Sequence, residues 1–475
     1  MTKTARYITT TLPYVNASPH MGHALEFVQA DMLARYFRLN GEDVFFNVGV
    51  DEHGQKIARK ADEAGIERQA YVDKYADEFD KLKEALDLSY DSFIRTSSEK
   101  HKVAAHEIWR RCDASGDIYK KKYRGLYCVG CESFKTESDL VDGKCPDHLV
   151  EPEEIEEENY FFKLSRYQEY LVEYLSKEGS IVPEFRRREV LSFVKKGLED
   201  FSISRERSRM DWGIAVPDDP DHVMYVWFDA LTNYISCLGW PEDTEGKFKK
   251  FWEEGGVLQL AGKDQVRFQS IIWQAMLKSA GVKATDKIFY HGFINSGGHK
   301  MSKSLGNVID PYVLVDRYGT DATRYIMLRH VHPTDDSDLT WEKMDEYYTA
   351  NLVNGLGNLT ARIMKMAETH LDAPVSTNNT TTVDHQALER YEFQNVLDGI
   401  WNAIGQMDEY ITENEPFKVV KTDKSLAQEM ITKLVNDLHD VALSLVPFMP
   451  ATAETIQTAI AENKKPPNLF ARLDS

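Results

Sequence analysis

Tyr7-Ile8-Thr9-Thr10-Thr11-Leu12 leads through Ser18-Pro19 into His20-Met21-Gly22-His23, and this passage decides how the chain is read. The apolar and β-branched residues up to Leu12 fit a buried strand. Ser18 suits a helix cap and Pro19 a first helical position, so a helix is expected to begin there. Met21, Leu25, Val28, Met32 and Tyr36 recur at helical spacing, Gly41 offers a stop, and Asp43 to Val50 reads as a second buried strand. That order predicts a βαβ unit of a parallel sheet with its ligand edge at the first turn. His20 and His23 then share a face of the first helical turn, where both imidazoles can meet an anion held over the helix N-terminus. Gly22 lets a flat ring approach the backbone. Taken alone, two histidines at this spacing fit a zinc pair or a solvated surface as well as they fit an anion site.

A second basic passage narrows the choice. Lys300-Met301-Ser302-Lys303-Ser304 follows Ser296-Gly297-Gly298, a base flexible enough for the lysines to close on a departing pyrophosphate. Alone it is an exposed basic loop. Both passages in this order point to nucleotide chemistry.

Four regions separate along the chain. Residues 1–115 read as the first half of a Rossmann-like α/β catalytic domain, 116–225 as a connective insertion, 226–345 as the second half with the lysine loop, and 346–475 as a helical domain. The parallel-sheet pattern is expected to resume at Val223-Met224-Tyr225-Val226-Trp227 and to continue through Val257 to Ala261 and Lys287 to Tyr290. Leu352, Leu356, Leu359 and Ile363 fall on one helical face, predicting an all-α bundle, with a Thr- and Asn-rich loop from Pro374 to Asp384.

The insertion carries Cys128-x2-Cys131 and Cys145-x2-His148. Two such knuckles predict one tetrahedral zinc per chain with no coordination position left for a substrate, hence a structural role. Cys112 and Cys237 read as ordinary partly buried thiols. Clustered cysteines without a disulfide framework fit a reducing, cytoplasmic setting. No stretch approaches the ~20 apolar residues of a membrane span, and the early first strand leaves no room for a leader peptide. At 475 residues and 42% hydrophobic, the chain can hold two or three substantial cores. The net charge of −20 opposes nucleic-acid binding only on average. Basic clusters at Lys120-Lys121-Lys122, Arg186-Arg187-Arg188, Lys195-Lys196 and Arg205 to Arg209 stand against the glutamates of 151–158.

The paired signatures resemble those of the class I aminoacyl-tRNA synthetases. Within them, Leu12-Pro13-Tyr14-Val15-Asn16, Asp51-Glu52-His53-Gly54, Tyr225-Val226-Trp227-Phe228-Asp229-Ala230, Gly262-Lys263-Asp264 and His291-Gly292-Phe293 resemble the methionyl-tRNA synthetases over most of the chain. The resemblance implies activation of L-methionine by ATP to methionyl-adenylate and pyrophosphate. Transfer to the terminal ribose of tRNA(Met), usually its 2′-hydroxyl, follows. The attacking carboxylate is already ionised, so the chemistry needs alignment and charge stabilisation rather than a general base. His20, His23, Lys300 and Lys303 are the expected catalytic groups, with Mg2+ on the ATP phosphates.

The resemblance also places Gly22, Gly262, Asp264 and His291 with ATP, Asp264 near the ribose and His291 near the adenine. It places Leu12, Tyr14, Trp227, Ala230, Tyr234, Phe268 and Gln269 around the thioether, and Asp51 on the ammonium. It agrees with zinc on Cys128, Cys131, Cys145 and His148. Asn354, Asn358 and Arg362, at i, i+4 and i+8, resemble an anticodon-reading face, and Phe417 stands after Pro416 where a stacking tryptophan is usual. Gln269 replaces a frequent histidine and Leu231 a frequent proline. The interruption is too short for a large editing domain, and no cysteine lies between Pro13 and His23 to supply a cysteine-specific zinc. Intact signatures oppose a non-enzymatic regulator, and the helical tail opposes a bare nucleotidyltransferase. Without an appended dimerisation module, a monomer is expected.

Overall fold

Ala5–Thr9 pairs with Asp43–Val50 on one side and Gly256–Gly262 on the other, in parallel register. The full six-stranded order is Ser92–Arg95, Asp43–Val50, Ala5–Thr9, Gly256–Gly262, Lys287–His291, Ile181–Val182, and every pairing is parallel. The order reverses beside Ala5–Thr9, and in such sheets the ligand crevice lies beyond the carboxyl ends of the strands at that point. The computed structural model describes residues 4–131, 133–146, 149–300, 308–377 and 383–473, without the side chains of Ser133, Ser138 and Lys300. The described residues form two compact units: Met1–Pro19, Gly41–Lys83 and Ser89–His291 make one, and His20–Asn40, Glu84–Leu88 and Gly292–Ser475 the other.

In the first unit, all but the first residue of Asp43–Val50 are buried, as expected of a strand covered on both faces. The stretch 116–225 is built on a long antiparallel hairpin, Ile118–Cys128 against Glu153–Phe162. Yet Ile181–Val182, within the same stretch, joins the edge of the parallel sheet. Val223 to Trp227 does not resume the parallel sheet as expected. Asp219–Met224 is the middle strand of a small antiparallel sheet with Ala215–Val216 and Ser204–Glu206, and Val226–Ala230 is a helical turn. A short apolar run buried on all sides has no period that separates strand from helix. Several of the basic residues in this stretch are paired within the chain: Lys120 with Asp219, Arg186 with Glu189, Arg187 with Glu184 and Arg205 with Glu157.

In the second unit the signature helix is Met21–Leu39, capped by His20 rather than Ser18. The imidazole supplies the acceptor that Ser18 was expected to supply. Met21, Leu25, Val28, Met32 and Tyr36 are all buried, so the helical stripe reads correctly. Asp31 on this helix is fully buried and bonded at one oxygen by Arg35 Nε at 2.7 Å and Arg324 Nη1 at 2.8 Å. Arg324, equally buried, also donates to the carbonyls of Leu86, Pro447 and Phe448, each at 3.0 Å. One guanidinium thus ties together its own helix Thr320–Arg329, the signature helix and the turn before Pro450–Glu462. The last helices, Asn358–His370, Phe393–Asn414, Lys424–Leu445 and Pro450–Glu462, bury Leu352, Leu356, Leu359 and Ile363 as their pattern required. The expected loop from Pro374 to Asp384 lies partly outside the described residues. Among the described residues no helix is long and apolar enough to cross a membrane.

Removing one partner of a buried ion pair leaves the other charge uncompensated. Arg324→Met is expected to lower stability by about 3–5 kcal/mol, seen as an earlier urea midpoint of the intact protein. An unchanged midpoint would mean that Arg35 alone compensates Asp31.

Candidate functional site

In the first unit the expected substrate residues gather at the carboxyl ends of the parallel strands. Leu12 and Tyr14 follow Ala5–Thr9, Asp51 follows Asp43–Val50, Asp264 follows Gly256–Gly262, and His291 ends Lys287–His291. Tyr14 and Asp51 are joined as a parallel bridge: Asp51 N–H donates to the Pro13 carbonyl at 2.9 Å and Val15 N–H to that of Asp51 at 3.1 Å. The Asp51 side chain is only 2% exposed. Its Oδ1 accepts from the His53 N–H at 3.2 Å and the Thr96 hydroxyl at 3.4 Å.

An aromatic wall stands in the same unit. Trp227 and Phe268 stack with centroids 3.7 Å apart at 15°, and Tyr14 meets Trp227 edge-on at 6.3 Å. Gln269 is buried, and its Nε2 donates to the Tyr234 hydroxyl at 2.6 Å. Where a proline is frequent, Leu231 uses its N–H to reach the Trp227 carbonyl at 3.3 Å, a bond proline cannot make. Gly262 is required by its neighbours, because a Cβ there would lie 2.6 Å from Asp264 Oδ1 and 3.6 Å from His291 Cε1. These three expected nucleotide residues are therefore close together. Asp264 is exposed and His291 buried.

His20, Gly22 and His23 belong to the second unit. His20 Nδ1 accepts from the Gly22 N–H at 3.1 Å, and His23 Nδ1 accepts from the His20 N–H at 3.3 Å. The rings stack 3.7 Å apart at 16°. Because Nδ1 of each ring accepts, each carries its proton on Nε2 and presents a donor there, which suits phosphate oxygens. A Cβ on Gly22 would come within 3.0 Å of the His20 ring, so glycine makes room for the stack. Lys300 pairs through its backbone with Asn295 in a short hairpin, and Lys303 lies outside the described residues.

Cys128, Cys131 and Cys145 bring their sulfurs within 4.8 Å of one another, with Cys131 and Cys145 at 3.4 Å. Three soft donors at this spacing fit a zinc ion. Burial and then the bond to Cys145 push the Cys131 thiol up, so a cation is what would favour its thiolate. His148, the expected fourth ligand, lies outside the described residues.

In the helical bundle, Asn358, Arg362 and Phe417 line one groove of about 650 Å³ with Lys365, His370 and Lys465. Phe417 is 44% exposed. Asn354 is exposed on a π-helical stretch, Tyr348–Gly357, and is not among the groove residues. Arg362 is ion-paired with Asp408.

The family model described as tRNA synthetases class I (M) matches residues 6–154 and 148–364. The methionine–tRNA ligase of Caldanaerobacter subterraneus subsp. tengcongensis is 41% identical over 96% of this chain and 74% of its own length. That of Rhizobium meliloti is 38% identical over 96% of this chain and 91% of its own. The chain belongs to the methionyl-tRNA synthetases. A solved structure of the Mycobacterium tuberculosis methionyl-tRNA synthetase in complex with methionyl-adenylate matches it with a TM-score of 0.88 at 38% identity, covering 96% of this chain and 93% of that one. As a methionyl-tRNA synthetase the protein is an ATP-dependent ligase that joins methionine to tRNA.

What sequence reading missed in this synthetase is a buried polar cluster. Asp229 is fully buried between His53 Nδ1 and His101 Nε2, each at 2.7 Å. The available signal was a lone acid inside the apolar run Val226-Trp227-Phe228-Asp229-Ala230, since a buried charge needs partners. Burial works against its ionisation, but the two imidazoles prevail and hold the carboxyl below the usual carboxylate range.

Cys131→Ser is expected to remove bound zinc from the purified protein, read by atomic absorption, while far-UV circular dichroism keeps its parallel-sheet signal. Stoichiometric zinc in that variant would disprove the ligand set.

Proposed function

We propose that the two steps of methionyl-tRNA synthesis are divided among these residues as follows. Asp51 receives the ammonium of L-methionine, while Leu12, Tyr14, Trp227, Ala230, Tyr234, Phe268 and Gln269 enclose its side chain. A flexible, polarisable thioether suits aromatic walls and one phenol. The observation that carries this reading is Asp51 itself, a nearly buried carboxylate at a strand end, bridged to Tyr14. A buried carboxylate held in place by an N–H and a hydroxyl offers a strong partner to a primary ammonium.

ATP is held by Gly22, Gly262, Asp264 and His291, with Asp264 toward the ribose and His291 toward the adenine. His20 and His23 donate from Nε2 to the phosphate that the methionine carboxylate attacks, and Lys300 and Lys303 take up the charge of the departing pyrophosphate. Mg2+ accompanies ATP and neutralises its outer phosphates. Methionine then passes from the adenylate to the terminal ribose of tRNA(Met). Asn354, Asn358 and Arg362 read anticodon bases and Phe417 stacks on one, a reading supported by the shared groove of the last three. Bases splayed from a loop are recognised by such amides and rings. Zinc on Cys128, Cys131, Cys145 and His148 is structural. We assign the chain to the cytoplasm and read it as a monomer.

Amino-acid-dependent exchange of pyrophosphate into ATP across all twenty amino acids tests the first step. Methionine alone should support exchange; silence, or a stronger response to cysteine or leucine, would sink the assignment. Lys303→Ala is expected to abolish exchange while methionine binding persists in equilibrium dialysis, and equal losses of both would count against its phosphate role.

Phe417→Ala tests the second contact. It should raise KM for tRNA in aminoacylation by about 5- to 150-fold, the 1–3 kcal/mol of one base–aromatic stack, with pyrophosphate exchange unchanged. A tRNA KM that does not move would show that Phe417 stacks on nothing.

A further inference from the structure

The cluster around Asp229 has no part in the assignments above, yet it touches two of the segments they use. Asp229 lies in the helical turn Val226–Ala230, two residues after Trp227 and directly before Ala230. Its Oδ2 receives His53 Nδ1 and its Oδ1 receives His101 Nε2, both at 2.7 Å. His53 belongs to the segment Asp51-Glu52-His53-Gly54, and its backbone N–H donates to Asp51 Oδ1. Thr96 completes the frame, accepting from the Glu52 N–H at 2.9 Å and donating to Asp51 Oδ1. On the far side, His101 Nδ1 lies 3.0 Å from the Ser236 hydroxyl.

We propose that Asp229 is a positioning residue that, through His53, sets the Asp51 carboxylate for the amino-acid ammonium and locks it in register with the pocket wall at Trp227 and Ala230. The proposal rests on the reading of Asp51 as the ammonium's partner. Its physical content is geometric. With Oδ1 of Asp51 held from two sides, the direction of its other oxygen is fixed as well, and His53 is held by a carboxylate on the pocket wall. Both oxygens of Asp229 are engaged at short distance in a place without solvent, where such bonds are strongest and misfits cost most. A simple packing role would be met by an apolar residue of the same size at lower desolvation cost.

The test is methionine-dependent pyrophosphate exchange with KM measured separately for methionine and ATP. Asp229→Asn turns an NH2 group toward one of the imidazole donors. It is expected to raise methionine KM by about tenfold or more while ATP KM stays put. Asp51→Asn should do the same, and the double variant should be no worse than Asp51→Asn alone, because Asp229 acts through Asp51. His53→Leu should mimic Asp229→Asn, whereas His53→Asn, whose amide nitrogen replaces Nδ1, should recover most of the lost affinity. The His53 pair also carries the test if Asp229→Asn does not fold. Equal rises in both KM values, multiplicative losses in the double variant, or no rescue by His53→Asn would overturn the proposal and leave Asp229 a packing residue. If Asp51→Asn alone leaves methionine KM unchanged, the ammonium assignment fails and the proposal falls with it, an outcome distinct from failure at Asp229.

Discussion

A guanidinium without access to water holds the second unit together. Arg324 satisfies its donors on Asp31 and on the carbonyls of Leu86, Pro447 and Phe448. Such a group is tolerable only when charge and hydrogen bonds are compensated at once. Its partners lie on segments far apart in sequence, so satisfying one side chain specifies how those segments pack. Asp31 lies on the signature helix, and that helix begins with stacked histidines which cap their own first turn. One helix thus carries a buried charge in its middle and the histidine pair at its start. Groups that stabilise charge must be preorganised, and for the histidine pair proposed for that role the cap and the stack supply the order.

The first unit meets the same demand by other means. A parallel sheet sends its strand ends to one edge, and the residues just beyond them converge without needing to be near one another in sequence. Tyr14, Asp51, Asp264 and His291 reach that edge from four strands. Gly262 permits the close approach of Asp264 and His291, while Asp51 keeps its orientation through backbone and hydroxyl donors. Polar groups so held cost less to order when a ligand arrives.

Much of this was legible in the chain because the decisive elements carry strong periodicity or distinctive chemistry. Asp43–Val50 was read to the residue, since an apolar run bounded by Gly41 and Asp51 leaves little latitude. The buried stripe of Met21 to Tyr36 followed from spacing alone. Three cysteines expected as ligands do converge. The signature helix starts later than Ser18 and Pro19 suggest, because His20 takes the capping role although histidine is not among the usual caps. Val223 to Trp227 departs from the parallel-strand expectation because a buried antiparallel strand end and a buried helical turn share one composition. Asp229, His53 and His101 were invisible as a group. Their association is set by tertiary packing across more than a hundred residues, and no local pattern encodes it.

The three clustered thiols are tied through one strand to the aromatic wall. Cys128 ends the strand Ile118–Cys128, and its neighbour Tyr127 is buried in one cluster with Ile155, Tyr225 and Val226, against which Tyr14 and Trp227 pack. Arg205 lies 4.1 Å over the Tyr127 ring and is paired twice at 2.9 Å with the buried Glu157. Tyr127 is thus held by a cation on its face and by a chain that runs directly into Cys128 and then Cys131. A metal held by those thiols would fix the end of the strand, and with it the cluster of Tyr127, Ile155, Tyr225 and Val226 on which Trp227 packs. Such a metal would act without touching substrate: by closing the knuckle it would limit where the proposed aromatic wall can go, and a wall so limited can discriminate by shape.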